Sequence, residues 1–283
     1  MVAGPPGHSG SASGRQALRV QYHARRYGKG PRQVLAIHCT LAHSGAWRGL
    51  SEQMRDEVTL HCPDMLCHGR SPDWDGQGDF HDKMIAAVLQ HMSQPMDVIG
   101  HSFGASLALR LAVEHPDLVR SLTMIESVHF GVIRDEHPQM LADQNTASAP
   151  FRDAIDAGDF ELGARLFNRG WGDVRGPQWD QMPESTRAAM TRGVRIVPAS
   201  SPALVDDRPG ILKPGVLERV GMPVLLMRGD QTEQIIGTVN ETFARRLPDA
   251  TNVVVNGAGH MLPISHPAET AGHLRDLFGR VGS

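Results

Sequence analysis

The chain has 283 residues, of which 40% are hydrophobic and 21% are charged, and its formal net charge is −3. A chain of this size and composition is predicted to bury one large hydrophobic core, and it does not have the composition of a disordered protein. It contains neither a long basic run nor an apolar run of the roughly 18 residues that span a bilayer, so we expect neither nucleic acid nor a membrane among its partners.

The number of cysteines and the N-terminal sequence indicate the cellular compartment of the protein. The three cysteines, Cys39, Cys62 and Cys67, are too few and odd in number for a disulfide framework, which indicates a reducing compartment. Residues 1–15 are rich in Gly, Ser and Pro and lack the apolar stretch of a signal peptide, so they are interpreted as a flexible leader. We therefore expect a soluble, cytoplasmic protein of unknown oligomeric state. Because neither an H-E-x-x-H motif nor a paired C-x-x-C occurs, no metal site and no cofactor are expected.

From residue 16 onward, short β-rich runs alternate with helix-like segments. The runs predicted as strands are 17–26, 33–39, 58–64, 96–102, 119–126, 223–230 and 250–256. The segments predicted as helices are 46–55, 80–92, 103–115, 235–247 and 267–278. Such alternation predicts an α/β fold, in which a mostly parallel sheet is flanked by helices on both faces.

One long segment, 128–218, breaks the alternation. It contains no strand-like run but includes helix-like pieces at 159–169 and 183–192. A structureless loop of that length is unusual in a compact domain, so we predict a helical cap inserted into the fold. A long surface excursion without a role in binding is the alternative. The predicted core then has two parts, 16–127 and 219–283.

The strongest chemical signal is a G-x-S-x-G pattern at residues 100–104, with Ser102 at its centre. It lies where a predicted strand ends and a predicted helix begins, which is typical of a turn that projects a serine hydroxyl into a cleft. Small residues two positions away relieve the crowding of such a turn, and the helix N-terminus points at an oxyanion that develops there. An ordinary turn with an uninvolved serine is the alternative, and this context disfavours it.

A second signal is His260, on the glycine-rich loop 256–261 after the last predicted strand. A histidine there can reach a serine on a middle strand. Free serine is a poor nucleophile, and an adjacent imidazole accepts its proton and later returns that proton to the leaving group. The alternative is that His260 is one of many surface histidines and has no catalytic role. The order of serine, acid and histidine along the chain favours the catalytic role.

These features resemble the α/β-hydrolase superfamily, in particular its small, capped esterase-like members. Residues 64–71 (DMLCHGRS) resemble the family's D-x-x-G-H-G-x-S loop, with Cys67 in place of a glycine. Residues 37–40 (IHCT) resemble its H-G-x loop, with Cys39 in place of the glycine. The resemblance implies an oxyanion hole made of the backbone N–H groups of Thr40 and of Phe103, the residue after the nucleophile.

The acid that would complete a triad stays open among three carboxylates. In the family it usually follows a glycine in a late loop, and here Thr232 stands at that position, between Asp230 and Glu233. Some capped members carry the acid at the end of an earlier strand, where this chain has Glu126. That strand is predicted beside the one that ends at Ser102, so we prefer Glu126, then Asp230 and then Glu233. A helix N-cap or a contact at the cap hinge is the alternative role for Glu126.

Aromatic and histidine side chains near these loops or in the predicted cap are candidates for substrate binding. The preferred candidates are Trp47, His43, Phe130 and Trp171, and the weaker ones are Phe103, Met65, His129 and Trp179. Such side chains are as often plain core packing. His38, His68, Cys39 and Cys67 are expected at one sheet edge, where His38 would hold loop backbone rather than bind a metal.

Together these patterns predict a serine hydrolase that cleaves small, partly apolar ester-like molecules through an acyl-enzyme. The serine argues against the aspartate-nucleophile branches of the family, the dehalogenases and epoxide hydrolases. A lactonase, a carbon–carbon bond hydrolase and a cofactor-free perhydrolase or haloperoxidase would use the same groups, because one fold hosts many reactions. A ligand-binding or signalling protein on a hydrolase scaffold is the alternative of another class.

Overall fold

A computed structural model describes residues 22–172 and 176–282, and the structure of this part contains one seven-stranded sheet. The predicted leader 1–15 lies outside the described residues, as does the first part of the predicted strand 17–26. The strands are β1 (Ala24–Gly28), β2 (Arg32–Ile37), β3 (Val58–Pro63), β4 (Met96–His101), β5 (Val119–Ile125), β6 (Val224–Gly229) and β7 (Ala250–Val255).

The sheet is mostly parallel, as predicted. Its strand order is β1-β3-β2-β4-β5-β6-β7, and β1 alone among these strands runs antiparallel to its neighbour. In β2, Leu35 and Ile37 belong to one hydrophobic cluster, whereas Val34 and Ala36 belong to another. Because successive side chains of a strand point to opposite faces, the two clusters cover the two faces of the sheet.

Helices account for most of the chain between the strands. They are α1 (Arg48–Gln53), α2 (Phe80–Leu89), α3 (Phe103–Glu114), α4 (Pro138–Ala147), α5 (Ala149–Asp156), α6 (Phe160–Trp171), α7 (Glu184–Gly193), α8 (Val197–Leu204), α9 (Gln234–Arg246), α10 (Leu262–Ser265) and α11 (Pro267–Arg280). Side chains of α2, α3 and α9 pack in the first cluster, and side chains of α1 and α11 pack in the second. Among the described residues, no helix is both long enough and apolar enough to cross a membrane.

The segment between β5 and β6 is helical, and it holds α4 to α8. Helices α6 and α7 correspond to the predicted pieces 159–169 and 183–192, whereas α4, α5 and α8 were not predicted. Each of these three has a proline in its first turn. A proline there costs no helical hydrogen bond, because the first N–H groups of a helix have no partner within it. Ala164, Trp179 and Val194 form a small separate core in this segment, which we call the helical insertion.

Candidate active site

Ser102 occupies the turn between β4 and α3. Its backbone is left-handed, with φ of 56° and ψ of −117°, a conformation that costs a non-glycine residue about 1 to 3 kcal/mol. A β-carbon on Gly100 would overlap the carbonyl group of Gly104, and one on Gly104 would overlap the carbonyl oxygen of Ile37. The two glycines of the G-x-S-x-G pattern therefore allow the close approach that this turn requires.

His260 lies within hydrogen-bond distance of the serine. Its Nε2 is 3.0 Å from Ser102 Oγ, and its side chain is buried. His101, the neighbour of Ser102 in the chain, holds the same loop: its Nε2 lies 2.7 Å from the carbonyl oxygen of His260. Burial lowers the pKa of His101 to about 3, so its ring is neutral and donates one N–H to that carbonyl. The hydrogen bond from His101 to the backbone carbonyl of His260 thus helps to hold the His260 imidazole next to the Ser102 hydroxyl.

Glu126 is the carboxylate that contacts the imidazole. Its Oε2 is 3.0 Å from His260 Nδ1, and the side chain is fully buried. Two further donors reach the same carboxylate: the backbone N–H of Gly229 at 2.6 Å from Oε1, and the Thr232 hydroxyl at 2.6 Å from Oε2. A buried charge is costly unless it is hydrogen-bonded, and these three donors satisfy it.

The two other candidate acids have different surroundings. Asp230 accepts a hydrogen bond from the backbone N–H of Gly257 at 2.7 Å and thereby tethers the loop that carries His260. Glu233 precedes α9 as its N-cap residue and lines a cavity. Thr232, at the position where the family usually carries its acid, donates to Glu126 instead. Its place in the motif could have identified it as a hydrogen-bond partner of a carboxylate beside His260.

Thr40 and Phe103 both line the space around Ser102. Phe103 is the first residue of α3, so its N–H has no acceptor within the helix. Thr40 comes from the loop after β2. Both residues therefore lie beside the cavity at Ser102, and the oxyanion hole that they would form stays a prediction.

Two buried histidines form hydrogen bonds that hold the loop that carries Thr40. His38 accepts the N–H of Met65 at Nε2 (3.0 Å), and its Nδ1 lies 2.7 Å from the carbonyl oxygen of Cys39. His68 accepts the N–H of Leu41 at Nε2, also at 3.0 Å. Burial lowers the pKa of His38 to about 4 and that of His68 to about 3, so both rings stay neutral and keep an acceptor nitrogen.

The role expected for His38, holding loop backbone, matches these contacts, whereas the same role of His68 was missed. Its place in the D-x-x-G-H-G-x-S-like loop was the available signal. Within residues 22–172 and 176–282, no group of three His, Cys, Asp or Glu residues could hold a metal ion.

Two cavities open at Ser102, and we refer to them as the large and the small cavity. The large cavity has a volume of about 910 Å³ and is lined mainly by the helical insertion, including Phe130 and Trp171. The small cavity has a volume of about 260 Å³ and is lined by His260 together with residues of α6 and α7. Phe130 lines the large cavity and Trp171 lines both, so the two residues stay candidates for substrate contacts. Phe167 also lines both cavities, and it was not among the residues predicted from the sequence.

The placement of Trp47 and His43 corrects the prediction that they bind substrate. Trp47 is only 1% exposed and packs in the core beneath the sheet, so its ring has no free face for a ligand. His43 is exposed, and its Nδ1 accepts the backbone N–H of Gly45 to cap a short 3-10 helix. Neither residue lines the large or the small cavity. Of the weaker candidates, Met65 and His129 are fully buried, and Trp179 belongs to the small core of the helical insertion.

Comparisons with known proteins agree with this architecture. A sequence profile described as the alpha/beta hydrolase family matches residues 34–273. Lipase LipV of Mycobacterium tuberculosis is 28% identical over 270 residues, covering 92% of this chain and 98% of the lipase. The 2-(acetamidomethylene)succinate hydrolase of Mesorhizobium japonicum is 27% identical, covering 86% of each chain. The crystal structure of a bromoperoxidase from Bacillus anthracis superposes with a TM-score of 0.71 at 18% identity, covering 90% of this chain and 94% of that one.

Proposed function

The chain belongs to the alpha/beta hydrolase family and is a hydrolase, and from that premise we propose that it is an esterase whose Ser102 attacks the carbonyl of small-molecule, partly apolar esters. The observation that carries this proposal is the continuous chain of contacts from Glu126 through His260 to Ser102, with both links at 3.0 Å, at the junction of two cavities. Such a chain is the arrangement that activates a serine hydroxyl.

In the first step, His260 Nε2 takes the hydroxyl proton while Ser102 Oγ bonds to the substrate carbonyl carbon. Glu126 holds the other ring nitrogen as an N–H and stabilises the imidazolium that forms. The carbonyl oxygen becomes an oxyanion, which accepts hydrogen bonds from the backbone N–H groups of Thr40 and Phe103. Donors arranged in advance for that charge supply a large part of the rate enhancement in acyl transfer.

The tetrahedral intermediate then collapses. The bond from carbon to the alcohol oxygen breaks, His260 gives its proton to that oxygen, and the acyl group remains on Ser102. In the second half, water gives a proton to His260 and attacks the acyl carbon, and the acid leaves as Ser102 Oγ recovers the proton. Serine and histidine therefore return to their starting states without any other reactant.

The helical insertion is proposed to act as a cap over this site. On this view residues 16–127 and 219–283 form the core that carries the reacting groups, and residues 128–218 form the cap. Its support is the lining of the large cavity, to which α4, α5, α6 and α8 all contribute side chains. A cap built this way excludes water from the reacting ester and selects its shape.

The test is covalent labelling with a fluorophosphonate probe, followed by a screen of substrates. We expect the wild type to be labelled and Ser102→Ala to be unlabelled, with kcat for an active ester lowered by about 10⁶-fold. The screen compares carboxylic esters with lactones and vinylogous diketones, the substrates of the alternative reactions. A folded wild type that neither reacts with the probe nor turns over any ester would contradict the proposal and favour a binding protein on this scaffold.

A further inference from the structure

The two cavities share one wall, which comes from α6. Phe167 and Trp171 line both cavities, as do Thr40 and Ser102. Residues four apart on a helix lie on the same side, so these two side chains leave α6 on the side that faces the two cavities. The Trp171 ring lies 5.1 Å from the His260 ring between centroids. The wall between the two cavities therefore lies next to the reacting groups and not at the entrance of the cavities.

The position of His260 gives the two sides of this wall different roles. His260 lines the small cavity but not the large one, whereas Phe103 lines the large cavity but not the small one. When the tetrahedral intermediate collapses, the leaving oxygen must lie within hydrogen-bond reach of His260 Nε2. The alcohol half of an ester must therefore leave on the side of the small cavity, which places the acyl half on the side of the large cavity.

The lining of the large cavity favours a bulky, uncharged acyl group. Apolar side chains contribute much of it, among them Val128, Phe130, Leu141, Ile155, Leu166 and Leu204. The charged residues that line it are all exposed and balance in sign, with Arg134, Arg152 and Arg169 against Asp156, Asp206 and Glu233. The volume of about 910 Å³ lies near the top of the range typical of pockets for drug-sized ligands.

The small cavity favours a short apolar alcohol. Its side chains are largely apolar and flexible, including Leu41, Met182, Met190, Met261 and Ile264. The volume of about 260 Å³ is below the range typical of drug-sized ligands. Methionine side chains adapt to small groups of varied shape, but they do not add length to the space that they enclose.

Resting on the proposed function, we infer that Phe167 and Trp171 divide the site into a large acyl pocket and a small alcohol pocket, so that the enzyme selects esters of bulky apolar acids with short alcohols. Trp171 and Phe167 are specificity-determining residues in this arrangement, because the wall that they form keeps a long alcohol out of the large cavity. The reacting groups themselves stay the same for every ester.

The experiment measures kcat/KM by proton release for two series of esters. One series holds the alcohol as methyl and extends the acid from acetate to octanoate, and the other holds the acid as octanoate and extends the alcohol from methyl to octyl. For the wild type we expect kcat/KM to rise along the acid series and to fall along the alcohol series. Contacts of a methylene group in an apolar pocket change kcat/KM by about tenfold or more, so both slopes are measurable.

Three variants test the two pockets separately. Met190→Ala widens the small cavity alone and is expected to raise kcat/KM for octyl octanoate by about tenfold, leaving the acid series unchanged. Leu141→Trp fills part of the large cavity alone and is expected to lower kcat/KM for methyl octanoate by about tenfold, leaving methyl acetate unchanged. Trp171→Ala opens the wall and is expected to flatten the alcohol series. The extent of fluorophosphonate labelling after complete reaction, rather than its rate, reports an intact Ser102 in each variant.

The outcomes separate this inference from the proposed function. If Met190→Ala changed the acid series and Leu141→Trp changed the alcohol series, the two pockets would be reversed and the inference would be wrong, although the enzyme would still be a serine esterase. Equal changes of both series in both variants would show that no partition exists. Absence of labelling and of turnover in the wild type would overturn the proposed function and this inference together.

Discussion

The carboxyl edge of the sheet and the helical insertion between β5 and β6 are built in different ways. At the sheet edge every residue of β4 is buried, and Glu126, His38 and His101 are buried with hydrogen-bonded side chains. In the insertion, α4 has no buried residue and α5 has one, Ala154. Dense packing and satisfied polar groups hold a side chain in one position, whereas sparse burial does not.

This difference places the groups proposed to react and the side chains proposed to select the substrate in different parts of the molecule. The groups proposed to react must keep their distances to within a fraction of an ångström, and they lie on the rigid part. The side chains that line the large cavity come mainly from the insertion, where substitutions disturb less of the core. Under the proposed function, the substrate can therefore change by substitution in the insertion while the reaction at Ser102 is kept.

The largest effect that would test this division is the loss of the buried carboxylate. Glu126→Gln is expected to lower kcat by about 10⁴-fold, because the amide no longer stabilises the imidazolium or fixes its tautomer. The matched control is Asp230→Asn, which changes a carboxylate that contacts the same loop but not the ring, and a few-fold loss is expected. Steady-state kinetics with one ester measures both. If Asp230→Asn were the variant with the large loss, Glu126 would not be the acid.

A comparison of two leucines tests the packing difference directly. Leu107 of α3 is fully buried, whereas Leu162 of α6 is 42% exposed. Leu107→Ala is expected to lower the free energy of unfolding by about 2 to 5 kcal/mol, because it removes packed methyl groups from the core. Leu162→Ala is expected to change it by less than about 0.5 kcal/mol. Chemical denaturation of both variants gives the two values, and equal losses would mean that the insertion is packed as firmly as the sheet.

Acid is expected to loosen the carboxyl edge of the sheet before helices α4 and α5 of the insertion, which contain no histidine. Burial lowers the pKa of His38 to about 4 and of His68 to about 3, from 6.5 in an unfolded chain. At a pH between the folded and the unfolded pKa of a histidine, the unfolded state binds more protons than the folded state. The free energy of unfolding therefore falls as the pH drops below about 6.5, by up to about 1.4 kcal/mol per pH unit for each histidine.

Hydrogen exchange at neutral and mildly acidic pH measures where this loss occurs. Exchange is expected to rise first in the loop around Thr40 and in residues 64–68, which the two histidines connect. His68→Gln, which cannot take up a proton there, is expected to show a weaker dependence on pH. A first rise in α4 or α5 instead would contradict the comparison.

The smallest expected effect concerns the hydroxyl beside the acid. Thr232→Val removes the donor at 2.6 Å from Glu126 Oε2 and keeps the shape of the side chain. One hydrogen bond to a charged group contributes about 1.5 to 3 kcal/mol, so kcat is expected to fall by about tenfold to a hundredfold. Thr238→Val on α9, whose hydroxyl bonds only to the backbone of its own helix, is the control, and kcat is expected to stay unchanged.

How much could be predicted from the sequence depends on how local each feature is. The turn at Ser102 is encoded by neighbouring residues, so its pattern and its flanking elements were enough to predict it. The alternation of strands and helices likewise predicted the mostly parallel sheet, because apolar runs of strand length repeat along the chain. Helices α4, α5 and α8 were missed, since their prolines and polar residues are also typical of loops.

The acid and the substrate contacts depend on distances between separate parts of the chain. Glu126, Asp230 and Glu233 all follow strands that end at one sheet edge, and only the arrangement in space decides which of them meets His260. Trp47 was predicted to contact substrate from its type and position. Residue type does not say which side of a helix faces the core, and the indole of Trp47 faces it.

The hydrogen bond between Thr232 and Glu126 has an evolutionary consequence. Because the Thr232 hydroxyl lies 2.6 Å from the same carboxylate oxygen that contacts His260, the ends of two adjacent strands reach one point beside the imidazole. A carboxylate introduced at position 232 would start next to the place where the charge is needed, and Glu126 could then be lost. Under the proposed mechanism, two neighbouring strand ends thus give a carboxylate access to the same imidazole, so moving the acid from one to the other would not require the site to be rebuilt.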